Sequence, residues 1–432
     1  MVLKKNTGSP EALTRLWAQQ GVPESVLLGV LTLIQFCHTL DFVILMPLGA
    51  PLMRLFQITP VEFGVLVSAY TAAASVSGFL VALLIDRFAR KTAILGLFGV
   101  FAAATLLCAI ANDYHSLLIA RAVAGGTGGV LQALIFAVIG ETIPEERRGR
   151  ATGVILSAFS LSSVFGVPVG LFLANRFDWQ APFYVLTGVC VVGWFFAQVV
   201  LPRMDGHLAL QKKTGVIQSL GRFVEVFSHP QHRWAMALNI TLVFGMFTFI
   251  PYLNPHLVQN VKLGEENLSL LYLCGGIFTI MGARLTGKLS DRYGKLEVFQ
   301  VAAVIALLPI LVISHLGPAP LPLVLTASTF FMVMMNARFV PATSMITSAA
   351  RPESRGAFLS ANASLQHLAM SAASLIGGWV VSVGLEPGTI QMTRVGYIAL
   401  AFGVLSIPFA RNLRRQMGAA LGGANQDASS SV

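Results

Sequence analysis

Charge is what this sequence has least of. Asp, Glu, Lys and Arg make up 11% of its 432 residues, against about 25% in a soluble domain. That deficit excludes a disordered chain, a fibrous repeat and an ordinary cytosolic enzyme. It also argues against two water-soluble domains, which the length alone would allow. Cysteine is scarce too. Cys37, Cys108, Cys190 and Cys274 each lie inside an apolar run, with neither paired nor metal-ligand spacing, so they read as small core residues. The histidines are scattered. No metal pair on one helix, nucleophile elbow or catalytic dyad stands out, which weighs against a membrane-embedded enzyme. Neither a metal nor a cofactor is expected. Lys4 and Lys5 open the chain, but no apolar stretch follows until Val26. That is the wrong shape for a cleaved signal peptide.

What fills the chain is apolar sequence. Hydrophobic residues make up 55% of it and the mean hydropathy is +0.74. A bilayer-spanning helix takes about 20 apolar residues, so twelve need about 240. Apolar runs recur near 26–48, 63–85, 92–111, 117–140, 150–174 and 181–201, then near 234–253, 268–288, 297–316, 321–348, 356–383 and 394–411. The expected organisation is a cytoplasmic N-terminal segment 1–25, a six-helix bundle 26–201, a cytoplasmic linker 202–233, a second six-helix bundle 234–411 and a flexible cytoplasmic tail 412–432. The fold class is therefore an all-α membrane protein of twelve transmembrane helices in two pseudo-symmetric bundles.

The net charge is +10 and the pI about 9.8. In a soluble protein this would suggest nucleic acid as a partner. Here basic residues that hold cytoplasmic loops explain it better, and no nucleic-acid partner is expected. With the N-terminus inside, the inner segments carry 22 of the 29 Lys and Arg and the outer loops four, namely Arg54, Arg176, Lys262 and Arg394. Both termini are predicted to face the cytoplasm.

The two halves repeat each other. Pro47 and Pro51 match Pro251 and Pro255 at an offset of 204, and Asp86-Arg87 matches Asp291-Arg292 at 205. Gly149 matches Gly356, and Gly170 matches Gly377, both at 207. Duplicated bundles of this kind are a transporter architecture, in which substrate is expected between the halves near the bilayer midplane.

The loop Gly287-Lys-Leu-Ser-Asp291-Arg292-Tyr-Gly294-Lys295 resembles the signature loop of the major facilitator superfamily. The first-half copy keeps Asp86, Arg87, Arg90 and Lys91 but has Ala82 and Ala89 in place of its glycines. The resemblance covers essentially the whole chain and implies a major facilitator fold. An Asp at a helix end can accept hydrogen bonds from a neighbouring helix N-terminus and pair with a nearby Arg. The two loops are therefore expected to form a cytoplasmic gate, to which Arg284 also belongs. Gly166-Val-Pro168-Val-Gly170 in the fifth span places small residues at four-residue spacing with a proline between them. It is similar to the Gly/Pro motif of exporters in this superfamily, in the variant of the arabinose-efflux-type permeases.

Arg121 precedes a glycine-rich face, Gly125, Gly126, Gly128 and Gly129, in the fourth span. This resembles the family's fourth-helix motif, which is tied to proton coupling. Asp41 is the only carboxylate well inside a span, and Pro47 follows it. That arrangement resembles the first-helix acidic site of drug-proton antiporters. A carboxylate held away from water can bind a proton near neutral pH. By helix rise, Asp41 lies about 10 Å and Arg121 about 6 Å from the outer ends of their helices. The resemblance implies that the first and fourth helices both line the cavity, so the two are expected to meet. His38 stands one turn before Asp41. Asn336 and Arg338 in the tenth span, with Asn362, Gln366 and His367 in the eleventh, are expected to line the substrate cavity. Arg338 reads equally as an anion-binding group or a structural counter-charge.

The expected function is a proton-coupled exporter of a small organic solute, a drug-like compound or a sugar, monomeric in a bacterial inner membrane. A proton-coupled uptake permease is the alternative. A non-transporting membrane sensor on the same fold is disfavoured by Asp41, Arg121 and Arg338.

Overall fold

The computed structural model describes residues 23–84, 89–202, 225–351, 354–383 and 390–430. Among these residues the chain is helical and has no strand. The elements of the first half are α1 (Glu24–Ile44), α2 (Gly49–Leu55), α3 (Pro60–Leu84), α4 (Arg90–Ala109), α5 (Tyr114–Thr142), α6 (Glu145–Leu161), α7 (Val167–Arg176) and α8 (Ala181–Val200). Then follow α9 (Pro230–Gln259), α10 (Leu268–Tyr293), α11 (Lys295–Ile305), α12 (Leu307–Ser314), α13 (Leu321–Ser348), α14 (Arg355–Ser382) and α15 (Met392–Ser430).

Eleven helical stretches among the described residues are long and apolar enough to cross a membrane. The remaining long helix, α14, has 28 residues. Asn362, Gln366, His367 and several serines dilute its apolar character. Its length and place match the eleventh expected span.

Element ends follow local chemistry. α5 starts on a capping box: the Asp113 carboxylate accepts from the His115 and Ser116 amides at 2.9 Å, and Ser116 answers with its side chain. Those bonds, from Ser116 first, hold the Asp113 carboxyl below the usual carboxylate range. α10 turns into α11 at Gly294, whose φ of 101° only glycine adopts without strain. Between α6 and α7 the helix widens to a π segment, Ser162–Gly166. Pro168 has no amide hydrogen for the carbonyl four residues back, and the wider turn accommodates the gap.

The sequence pattern carries the first span to residue 48. The helix instead stops at Ile44, and a turn containing Pro47 precedes α2. α15 continues past residue 411, where the apolar pattern ends, to Ser430.

The chain forms two compact units. Unit 1 comprises residues 1–48 and 69–219, and unit 2 comprises residues 49–68 and 220–432. Segment 49–68 belongs to unit 2 because of close packing. A Cβ at Gly64 would meet the Ser374 carbonyl at 2.8 Å, and one at Gly378 would meet Val61 Cα at 3.1 Å. Phe63 stands edge-on to Tyr252.

Unit 1 has a core built from Leu31, Ile34, Phe98, Phe101, Leu131 and Leu134, among others. Unit 2 has one that includes Met236, Phe299, Ala342, Met345 and Phe358. Large apolar side chains such as Phe172, Val192, Phe195, Met281, Val301 and Leu308 stay exposed, as lipid permits and water does not.

Candidate functional site

Four side chains of Asp, Glu, Lys and Arg are buried among the described residues: Asp41, Arg90, Arg121 and Arg338. Burying a charge is unfavourable unless it is paired and hydrogen-bonded. The partners of these four therefore define the sites.

Asp41 and Arg121 meet inside unit 1. Arg121 Nη1 donates to Asp41 Oδ2 at 2.7 Å and to the Asp41 carbonyl at 3.0 Å. Both side chains are essentially inaccessible. Asp41 Oδ1 and Arg121 Nε have no partner. Tyr70 lies over the guanidinium, 4.6 Å from ring centroid to Cζ. Its hydroxyl donates to the His38 carbonyl at 3.3 Å, and its ring packs on Phe42. His38 is buried one turn below Asp41. Its Nδ1 faces Gly128, 3.6 Å from where a Cβ would stand. Cys108, read from sequence as a plain core residue, is fully buried.

Glycines build this site. A Cβ at Gly125 would fall 2.5 Å from Tyr70 Cα, and one at Gly129 would fall 2.9 Å from Ala74 Cα. Bare backbone on α5 therefore lets α3 come close enough to lay Tyr70 over Arg121. The fifth-span motif supports the same turn of α1 from another side. Cβ atoms at Gly166 and Gly170 would press on Leu40 and Ile44, at 2.6 and 2.5 Å. These two residues flank Asp41. Ser162 Oγ donates to the Phe36 carbonyl at 3.4 Å. Pro168 lies between the two glycines, just after the π segment.

The residues expected to form a gate are only partly among the described residues. Asp86 and Arg87 lie outside the described residues. Arg90 is buried and pairs with Glu141 at 2.6 Å. Glu141 is a partner the sequence reading missed. In the second copy, Gly287 and Asp291 lie in α10 and Lys295 opens α11. Asp291 is exposed and forms no hydrogen bond or ion pair with any described residue. Arg292 lies on Tyr293. The ion pair at this end is Glu297 with Arg414, at 2.8 Å. Arg284 has no described partner either.

The residues expected to line a cavity separate into two groups. Asn239 Nδ2 donates to Gln366 Oε1 at 3.3 Å, which ties α9 to α14. Asn362, one turn earlier on the same face as Gln366, has a buried Oδ1 without a partner. His367 is half-buried beside them. Arg338 stands apart on the buried face of α13, in line with Phe331, Met335, Ala342 and Met345. Asn336, two residues earlier, points to another side of the helix, and its Oδ1 also lacks a partner.

Tyr70 carried no sequence signal beyond the glycine face opposite it, because an aromatic in an apolar span reads as core. Glu141 sits at the C-terminal end of α5, where an acid reads as loop chemistry.

These features define a multi-pass helical membrane protein with ionic groups buried inside its spans. Residues 31–374 match the Major Facilitator Superfamily, and the chain belongs to that family of transporters. It is 26% identical to the uncharacterized MFS-type transporter YwfA of Bacillus subtilis (strain 168), over 86% of this chain and 90% of that one. It is 24% identical to a probable sugar efflux transporter of Helicobacter acinonychis (strain Sheeba), over 59% of this chain and 63% of that one. Among solved structures, a D-xylose-proton symporter aligns with a TM-score of 0.74 at 15% identity, over 89% of this chain and 96% of that one. That likeness concerns the fold.

Proposed function

We propose that the protein exports a small organic solute, drug-like or sugar, in exchange for protons, by alternating access. The observation that carries this reading is the buried Asp41–Arg121 pair at 2.7 Å, whose second carboxylate oxygen is unpartnered. A proton arriving at Asp41 cancels its charge and loosens the ion pair. Arg121 keeps its bond to the Asp41 carbonyl and its place beneath Tyr70, so the group can be discharged without losing its position. Such a carrier loads on one side of the membrane and releases on the other. The export direction draws support from the Gly166–Gly170 element seated against the Asp41 turn, and from the efflux transporter among the relatives.

Asp41→Asn keeps the shape and removes the titration. In vesicles holding the purified protein, it should abolish solute movement driven by a pH step. Solute binding should remain measurable but lose its pH dependence. If Asp41→Asn still moves solute against its gradient after a pH step, Asp41 is not the carrier, and His38 and His367 become the candidates.

The proposed setting is a bacterial inner membrane, with both termini cytoplasmic and a monomer as the working unit. The 22-to-4 distribution of basic residues supports the orientation. A cytoplasm-active reporter fused after Asp427 should be active, and one fused near Gln259 should behave as external. The reverse result at either point overturns the orientation.

A further inference from the structure

Arg338 is 2% exposed and makes no hydrogen bond or ion pair with any described residue. The other buried charges are matched: Asp41 with Arg121, and Arg90 with Glu141. Among the described residues no carboxylate pairs with Arg338. The carboxylates of unit 2 are residues 62, 225, 265, 266, 291, 297, 353, 386 and 427, and none lies between 298 and 352. Arg338 is ten residues from the nearer end of α13, about 15 Å along the axis.

The fold does not need an arginine there. The offset of 207 that relates Gly149 to Gly356 carries Arg338 onto Leu131 of the first half. Leu131 is fully buried within the unit 1 core. One half fills this place with an apolar side chain, while the other fills it with a cation. The guanidinium reaches α15 where that helix is bare: a Cβ at Gly403 would be 3.6 Å from Arg338 Nη1 and 3.0 Å from Leu307 Cδ2.

We propose that Arg338 is the anion-binding group of the substrate site and that the transported solute is a small organic monocarboxylate. This rests on the transporter reading above and narrows its substrate class. A carboxylate fits for two reasons. Its two oxygens match the guanidinium fork, which presents parallel N–H donors. Its single negative charge also balances the single cation, whereas a phosphate dianion would leave a net charge buried. An unpaired buried cation weakens the empty protein, and a bound carboxylate removes that penalty.

The test uses full-length protein in detergent, as wild type, Arg338→Met and Arg338→Gln. The first readout needs no ligand. With no solute present, both variants should melt at the wild-type temperature or above it, because an unpaired buried charge has been removed. If both melt several degrees lower, Arg338 is a structural counter-charge and the proposal fails. The second readout is a panel of matched acids and neutral partners: benzoate with benzamide, D-gluconate with D-glucose, and D-galacturonate with D-galactose, with sodium chloride as the inorganic control. At least one acid should raise the wild-type melting temperature where its partner does not, and should bind each variant at least tenfold more weakly. Equal stabilisation by acid and neutral partner overturns the proposal. So does a shift that chloride reproduces, or a panel in which no acid at millimolar concentration has any effect. Binding of an acid that survives Asp41→Asn but not Arg338→Gln separates this site from the proton carrier. The two readings can therefore fail independently.

Discussion

Two arginines lie deep in the spans, one in each unit, and they are held in opposite ways. Arg121 has a carboxylate at 2.7 Å, a backbone carbonyl at 3.0 Å and an aromatic face above it. Arg338 has none of these. The pairing of Arg121 was arranged by backbone. Gly125 and Gly129 bring α3 against α5, and Gly166 and Gly170 receive the residues on either side of Asp41. Arg338 is buried without a described partner, and its Nη1 lies 3.6 Å from where a Cβ at Gly403 would stand. A charge that the fold has matched belongs to the protein's internal machinery, because its partner is always present. A charge that the fold has left unmatched is stabilised by a partner from outside, which is the basis of the proposal for Arg338.

The comparison breaks most visibly if the Arg121 pair is opened from one side. Arg121→Met leaves the Asp41 carboxylate buried without its cation, which should destabilise unit 1 by about 3–5 kcal/mol. The double variant Asp41→Asn, Arg121→Gln removes both charges and should recover most of that loss, with transport still absent. Thermal melts of the wild type, the two single variants and the double variant close a cycle that isolates the coupling. A double variant no more stable than Arg121→Met would mean that the site is held by packing and not by the pair. Arg338→Met, with no partner to strand, should not behave like Arg121→Met.

A smaller effect is expected from the glycines that make the pairing possible. Gly125→Ala drives a methyl into the Tyr70 backbone, and overpacking of this kind costs roughly 1–3 kcal/mol. Gly126 is the control, one residue along on the same helix. Its nearest neighbour is Ala73 Cβ at 3.9 Å, so Gly126→Ala should melt like wild type. If both variants melt alike, the approach of α3 to α5 does not depend on the glycine face.

Much of this was legible in the sequence. Apolar runs of spanning length marked the helices, and the duplicated Asp-Arg and Pro positions pointed to a repeat; that segment 49–68 packs with unit 2 was not legible. The Asp41–Arg121 meeting was legible because each charge lies inside a span at similar depth, and the family resemblance put the two spans together. Tyr70 was hidden, since its role depends on which helix α5 approaches. The state of Asp291 was hidden as well: its motif is well preserved, yet the ion pair at that end is formed by Glu297 and Arg414. A motif fixes which groups are available, while their partners depend on the packing of helices far apart in sequence. Arg338 was half legible. Its burial could be expected, but its lack of a described partner could not, because that depends on which helices pack around α13.

The smallest effect is expected where the geometry of the Asp41–Arg121 pair is repeated without its burial. Arg54 and Glu265 also meet at 2.7 Å, with a second bond at 3.2 Å, but their side chains are 65% and 27% exposed. Water already solvates both groups in the absence of the pair. The gain from pairing is therefore only the difference between two well-solvated arrangements, less the entropy of holding two long side chains. Surface pairs measured this way contribute about 0–1 kcal/mol and fade with salt. Glu265→Gln should shift the melting temperature by a degree or two at low ionic strength, and by nothing measurable at 1 M salt, where screening falls to about 3 Å. Arg121→Met should stay destabilised at both, since salt does not reach its surroundings. A Glu265→Gln loss comparable to that of Arg121→Met, or one that persists in high salt, would mean that close geometry alone sets the strength of these pairs. The distinction between a matched buried charge and an exposed one would then fail.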